Sequence, residues 1–389
     1  MDDPVSADPL QPEPAGDEPA EARRDPPAYD ASLADHGMEA QEFKGLTYPL
    51  GEHAPDYGDM FELAPGIGWT RLPVPGALGH INIWLLDDED EAGPGVAIVD
   101  TGLFIPESIA AWKQLFANGL NGRRITRIIV THYHPDHIGS AGWLCNRFKV
   151  PLWMNRTEWL MARMLTSDIR EEPPREAIEQ MRFAGWEDDR LQKMREGGWG
   201  NFARVVSRLP IGHRRIDDGS EITTGSRRWQ AITGGGHTPE HVSLLDRAGS
   251  VIISGDQILP RITSNVSVMM SEPFANPLGE WLDGIARFRE TLSGEELVLP
   301  AHGYPFTGVH KRLDALAAGH HERLDSLEQA LREKPLRAVD CFGILFARAV
   351  DDSVFGIATG EAMAHLRYLE HAGRARHVLK DGMAWYSAG

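Results

Sequence analysis

The chain has 389 residues, 42% of them apolar, and a net charge of −18. That length suits two domains with accessory segments, and the apolar share is enough for a sizeable core. The acidic balance argues against polyanionic partners, and no run approaches the ~20 apolar residues of a membrane span.

The charge is uneven. Residues 1–42 hold twelve Asp or Glu against two Arg, with seven prolines before position 28. Such a stretch cannot bury enough surface to offset its ordering entropy, so 1–42 reads as a disordered acidic, Pro-rich tail. The opening Met-Asp-Asp-Pro lacks the basic and apolar regions of a secretion signal, and a cytoplasmic protein is expected. Cys145 and Cys341 each sit among apolar neighbours and read as buried thiols rather than a disulfide.

From about Leu46 the pattern becomes that of a folded domain. Gly66 to Leu72, His80 to Leu86 and Val96 to Val99 read as strands, the last ending at Asp100. A helix is expected from Ile109 to Leu115, followed by an apolar strand, Ile128 to Val130. That strand empties into His132-Tyr133-His134-Pro135-Asp136-His137, three imidazoles and a carboxylate within six residues. These are the ligand types of zinc and similar divalent cations, and a metal-free His-rich loop is a poor account of such density.

Residues 155–210 break the strand–helix rhythm. Their pattern is mostly helical and rich in Trp, Met and Arg, and it reads as an insertion that covers hydrophobic surface, lids the site, or does both. Strands resume at Glu221 to Gly225 and Trp229 to Thr233, ahead of a glycine-rich loop presenting His237. Val251 to Ser254 leads to Asp256, Trp281, Ile285, Phe288 and Leu292 mark an amphipathic helix, and Leu297 to Leu299 leads to His302. The last eighty residues read as a separate unit. One helix carries Leu324, Leu327 and Leu331, a second Val339 to Phe346, and a third is entered through Thr359-Gly360. A hairpin around Lys380-Asp381-Gly382 closes the unit, which is the order of a winged helix.

Asp100, the 132–137 cluster, His237, Asp256 and His302, in that order, resemble the motifs of the metallo-β-lactamase-fold hydrolase superfamily over residues 60–310. The resemblance implies an α/β fold, a four-layer αββα sandwich of two mixed sheets over 43–310, with the 155–210 insertion inside it. A winged-helix-like domain would follow at 311–389. It also implies two divalent metal ions, zinc first, with iron or manganese as alternatives. His132, His134 and His237 would hold one metal, Asp136, His137 and His302 the other, and Asp256 would bridge both. Asp100 and His241 would hold hydrogen bonds behind the ligands. Asp256 stands where many zinc β-lactamases have another residue, often cysteine, and resembles the glyoxalase-II-like thioesterases, lactonases and nucleases. His134 differs from the acid of the diiron flavoproteins and favours hydrolysis. The usual Thr-Pro-Gly-His ending is Thr238-Pro239-Glu240-His241 here.

A lactamase-fold core with a C-terminal winged helix is similar to the β-lactamase-like 2 group. The expected function is therefore a dinuclear metal-dependent hydrolase, a metal-bridged hydroxide attacking a small acyl substrate with help from Asp136. Tyr133, Arg261 and Tyr304 are candidate substrate contacts. An endoribonuclease and a β-lactamase are the alternatives, but residues 311–389 carry eleven basic and eleven acidic residues, no track for a phosphate backbone. A DNA-binding regulator fares worse, since the third helix offers Arg367 against Glu361 and Glu370. The C-terminal domain then either walls the site or forms a homodimer contact. The other histidines, among them His80, His320 and His321, read as structural or solvated.

Overall fold

A computed structural model of the protein describes residues 39–389. Most of the acidic tail lies outside the described residues. Its end, β1 (Gln41–Phe43), pairs antiparallel with β2 (Leu46–Tyr48).

Seven strands follow as one sheet in chain order: β3 (Phe61–Ala64), β4 (Ile67–Val74), β5 (Gly79–Asp90), β6 (Gly93–Val99), β7 (Ile125–Ile129), β8 (Leu152–Met154) and β9 (Arg214–Arg215). The first four are antiparallel neighbours, and β6 to β9 run parallel. Parallel pairs need crossovers. Helix α1 (Pro106–Gln114) supplies one between β6 and β7, and α2 (Pro135–Ile138) with α3 (Ala141–Phe148) supplies the next. The insertion holds α4 (Arg156–Ser167), α5 (Arg175–Phe183) and α6 (Asp188–Glu196). A second sheet takes β10 (Glu221–Thr224), β11 (Arg227–Gly234), β12 (His241–Asp246), β13 (Val251–Gly255) and β14 (Leu297–Pro300) in order, with α7 (Pro277–Thr291) crossing between the last two.

Side-chain alternation sets the layers, because successive residues of a strand face opposite ways. On β6, Val96 and Ile98 join the cluster of Trp112 and Leu144 under the helices, whereas Ala97 and Val99 face the second sheet. On β14, Leu297 and Leu299 meet the first sheet, and Val298 meets Trp281 and Phe288 of α7. Helices, sheet, sheet and helices therefore stack with three apolar interfaces, a mixed α/β fold.

The C-terminal elements are α8 (Val309–Glu333), a 3₁₀ turn (Ala338–Cys341) running into α9 (Phe342–Leu345), α10 (Phe355–His371), and the hairpin β15 (Ala375–Lys380) with β16 (Met383–Ala388). The C-terminal unit packs on helix α7 of the core: Leu313 and Leu324 of α8 and Leu366 of α10 bury into the same cluster as Trp281 and Phe288 of α7. Helix α10 starts at Phe355, so Thr359-Gly360 lies inside it and not at its entry. The glycine is there for contact, since a Cβ at Gly360 would sit 2.7 Å from Ser267 Oγ. His320, read as solvated, is fully buried and faces His365, with Nδ1 and Nε2 3.4 Å apart. Cys145 and Cys341 are buried free thiols. Among the described residues no helix is long and apolar enough to cross a membrane.

Candidate metal centre

Each expected ligand leaves a strand at its C-terminal end, where the two sheets meet. Backbone bonds tie the two edges: Val242 N–H donates to Thr131 O at 2.9 Å and Asn82 N–H to Ala301 O at 2.7 Å. Seven side chains converge there in two groups, His132, His134, His237 and Asp256, then Asp136, His137 and His302; within each group the ligand atoms lie inside 4.8 Å of one another. All are buried except His134 and Asp136, which are partly exposed and mark the open side.

The separations test whether these residues fit a cation. His132 Nε2 and His134 Nδ1 are 3.1 Å apart, and Asp256 Oδ2 is 3.3 Å from His237 Nε2. In the second group His302 Nε2 is 3.3 Å from Asp136 Oδ2. Donors ~2.0–2.1 Å from one tetrahedral zinc lie about 3.3 Å from each other. His137 Nε2, His237 Nε2, His302 Nε2 and Asp256 Oδ1 are buried yet make no hydrogen bond. Buried polar atoms rarely stand unpartnered, and here they converge on one another. The donor set fits divalent metal.

The far side of each ring is fixed. His137 Nδ1 donates to Asp100 Oδ2 at 2.8 Å, His237 Nδ1 to Asn265 O at 2.7 Å, and His302 Nδ1 to His80 O at 2.7 Å. Such partners set tautomer and ring orientation, leaving each Nε2 free to ligate. Asp100 also accepts from Thr131 N–H at 2.8 Å, and it holds a φ of 64° that Asp tolerates better than most residues. His241 does not join the ligands. Its Nε2 accepts the Asp256 N–H at 3.0 Å, as a residue behind the site does.

Electrostatics follow from burial and from crowding of like groups. Burial, then the neighbouring His137 and His134, holds His132 well below the usual imidazole range. Burial also brings His134 down to about 3, assisted by His237. Burial opposes charge on His137, but the carboxylates of Asp100, Asp256 and Asp136 outweigh it and raise that ring well above its ordinary value. Burial would raise Asp136, yet His137 and His302 bring it to about 2. Burial would raise Asp256 as well, and His302 and His137 hold it well below the carboxylate range. Both carboxylates thus stay ionised, and a cation can replace the protons they draw onto the rings.

Four residues that position the site carried no signal in the sequence. Glu158 is fully buried and accepts the N–H groups of Tyr133 at 2.9 Å and Glu240 at 2.7 Å, tying two ligand loops together. Buried Asn82 on β5 donates to Pro300 O at 2.8 Å and Gly303 O at 2.9 Å, clamping the His302 loop. His80 and Asn265 act through their backbone oxygens, which no composition or motif announces.

The candidate substrate contacts separate. Tyr133 lines a cleft of about 360 Å³, and its ring meets His134 edge-on with centroids 4.7 Å apart. Arg261 does not line that cleft. It pairs with Glu52 at 3.3 Å and lies over the rings of Phe43, Tyr48 and Tyr304, so its charge is already engaged. Tyr304 is half-buried beneath that guanidinium and packs against the core.

Residues 76–338 match the metallo-beta-lactamase superfamily, and residues 324–389 match the metallo-beta-lactamase-like C-terminal domain. The chain is similar to a beta-lactamase domain protein from Burkholderia ambifaria, with 37% identity over 88% of this chain and 99% of that one, at a TM-score of 0.78. A metallo-beta-lactamase family protein from Thermus thermophilus shares the fold at a TM-score of 0.68, with 23% identity over 84% and 100% of the two chains. The probable metallo-hydrolase YqjP of Bacillus subtilis (strain 168) is 22% identical over 306 residues, 77% of this chain and 91% of that relative.

Proposed function

Because this chain belongs to the metallo-β-lactamase superfamily, as a metal-dependent hydrolase, we propose that it cleaves a small acyl substrate, a thioester, ester or lactone, at a two-metal centre. The observation that carries the two-metal reading is the position of Asp256. Its Oδ2 is 3.3 Å from His237 Nε2 and its Oδ1 is 3.4 Å from His302 Nε2, so one carboxylate reaches both ligand groups. Divalent cations bound there supply Lewis acidity and bring the pKa of water towards ~7, with zinc the first choice and iron or manganese the alternatives.

The chain's own residues do the rest. His132, His134 and His237 hold one side, Asp136, His137 and His302 the other, and Asp256 spans them. Asp136 is partly exposed and stays ionised, so its free oxygen is placed to take a proton from the attacking water. Asp100, His80 O and Asn265 O keep three rings aimed.

The apolar cleft beside Tyr133 supports an acyl substrate over RNA, because no Lys or Arg lines it. We read the C-terminal unit, 311–389, as a winged helix used for packing, in a protein whose partner is a small molecule. Helix α10 supports that use: Ala362, Met363, Leu366 and Leu369 are buried, and its Arg367 is spent on Glu370 at 2.7 Å. No such helix can enter a DNA groove without leaving the core.

Two experiments test the reading. Metal analysis of the purified protein is expected to find two equivalents of zinc, iron or manganese, and Asp256→Ala is expected to lose the second before the first. Unchanged stoichiometry in that variant refutes the shared carboxylate. A panel of acyl thioesters, lactones, a cephalosporin and single-stranded RNA is expected to show thioester or ester turnover; RNA cleavage with silent thioesters overturns the substrate class.

A further inference from the structure

The cleft of about 360 Å³ beside Tyr133 falls within the size range of small-molecule sites. Its walls come from separate segments. Met161, Met164 and Leu165 project from α4, Met269 and Met270 from the loop after β13, and Tyr133 from between two candidate ligands. Four of these six are methionines. An unbranched, polarisable thioether adapts to the ligand beside it, which suits a flexible chain more than a rigid ring system. The surface is uncovered: Met164 is 44% and Met270 38% exposed, apolar area a folded chain normally buries.

Charge narrows the ligand further. The two acidic groups at the cleft are Asp168, already bonded to Arg170 Nε at 2.6 Å and Trp199 Nε1 at 2.8 Å, and Glu176. No cation lines the walls to receive a carboxylate or phosphate. The inner end is Tyr133, whose ring abuts His134 and whose hydroxyl donates weakly to Met269 Sδ at 3.7 Å.

From this arrangement we infer that the cleft is an acyl-chain subsite, and that the substrate carries an unbranched aliphatic acyl group lying along the methionines with its carbonyl at Tyr133. The inference rests on the acyl-hydrolase reading above and names its substrate class. The leaving group stays outside the cleft, so a head group's charge is not read there. Hydrolysis itself is unchanged: water adds to the carbonyl, the C–S or C–O bond breaks, and the leaving group departs with the proton.

The test uses the metal-loaded protein with N-acetylcysteamine thioesters from acetyl to decanoyl, whose leaving group is uncharged. The specificity constant kcat/KM is expected to rise three- to four-fold for each added methylene until the cleft is full, mostly through KM. Met164→Glu, a change at a half-exposed helix position, is expected to flatten that slope. A separate measurement needs no turnover. Octanamide is expected to change tryptophan emission saturably, and the change is expected to vanish in Trp199→Phe. Equal rates for acetyl and decanoyl thioesters overturn the chain subsite and leave acyl hydrolysis standing. Silence across the whole series overturns the acyl reading, and the octanamide titration then judges the subsite alone: no response refutes it.

Discussion

Asp100 shows how much of the centre depends on groups that touch no substrate. Its carboxylate accepts from Thr131 N–H and from His137 Nδ1, both at 2.8 Å, from a backbone at φ 64°. Asp100→Asn keeps the backbone preference and one acceptor but turns an amide towards the His137 N–H. We expect metal affinity to fall about 10–100-fold in a chelator competition while the protein stays folded. An unchanged dissociation constant would remove Asp100 from the ligand-aiming role. Gly255 makes a second case. At φ 52° a Cβ would lie 2.5 Å from His241 Nε2, the atom that accepts the Asp256 N–H. Gly255→Ala is expected to cost about 1–3 kcal/mol in urea unfolding, from left-handed backbone strain and the displaced ring. At this scale the candidate ligands stand out in the sequence because four strand ends carry them as dense, ordered motifs. Their supports do not. Asn82 acts on Pro300, 218 residues away, and Glu158 on Glu240, 82 away, and no local pattern encodes a pairing made by the fold.

Helix α10 connects the C-terminal unit to the centre. Glu361 accepts from Asn265 Nδ2 at 3.0 Å, and the Asn265 carbonyl accepts the His237 N–H at 2.7 Å. Gly360 lets the same loop close on the helix, with Val268 N–H donating to Gly360 O at 3.1 Å. Glu361→Ala therefore frees the loop that aims His237. The expected result is weaker metal binding, about ten-fold, largely restored in Glu361→Gln, which still offers an oxygen to Asn265. Equal loss in both variants would make the carboxylate's charge, and not the bond, the operative feature. The sequence marked α10 by its apolar spacing but started it at Thr359-Gly360, because glycine reads as a boundary when only sequence is in view. Here glycine serves close packing, and Ser267, far back in the chain, supplies the reason.

Across the whole molecule, the layers were legible because strand alternation and helix spacing repeat over many residues. The docking of the C-terminal unit was not, because both partners show only ordinary apolar faces. The insertion is anchored there too: Val339 N–H donates to Ala184 O at 3.2 Å and Trp186 Nε1 to Thr359 Oγ1 at 3.0 Å. At the joint between α8 and α10 lies the His320–His365 pair. Burial, then Arg323 and His365, brings His320 to about 3, and burial, with Arg323 beside it, brings His365 to about 4. Glu361 on the same helix runs the other way, raised by burial against Arg323 and Asn265. A histidine whose folded pKa lies below its unfolded value of 6.5 gives stability that is complete above pH 6.5. That stability is lost as pH falls towards the folded values of about 3 and 4. Between pH 7.5 and pH 4.5 each ring accounts for a loss of about 2–3 kcal/mol, since the unfolded chain binds a proton the folded one refuses. Replacing His320, whose Nε2 has no partner, by leucine removes one of those titrations, and the loss of the 3.4 Å contact to His365 Nε2 applies at both pH values alike. Urea unfolding at the two pH values is therefore expected to show His320→Leu losing about 2–3 kcal/mol less than the parent on acidification. A parallel loss in both proteins would mean that His320 is already charged in the fold, against the burial that surrounds it.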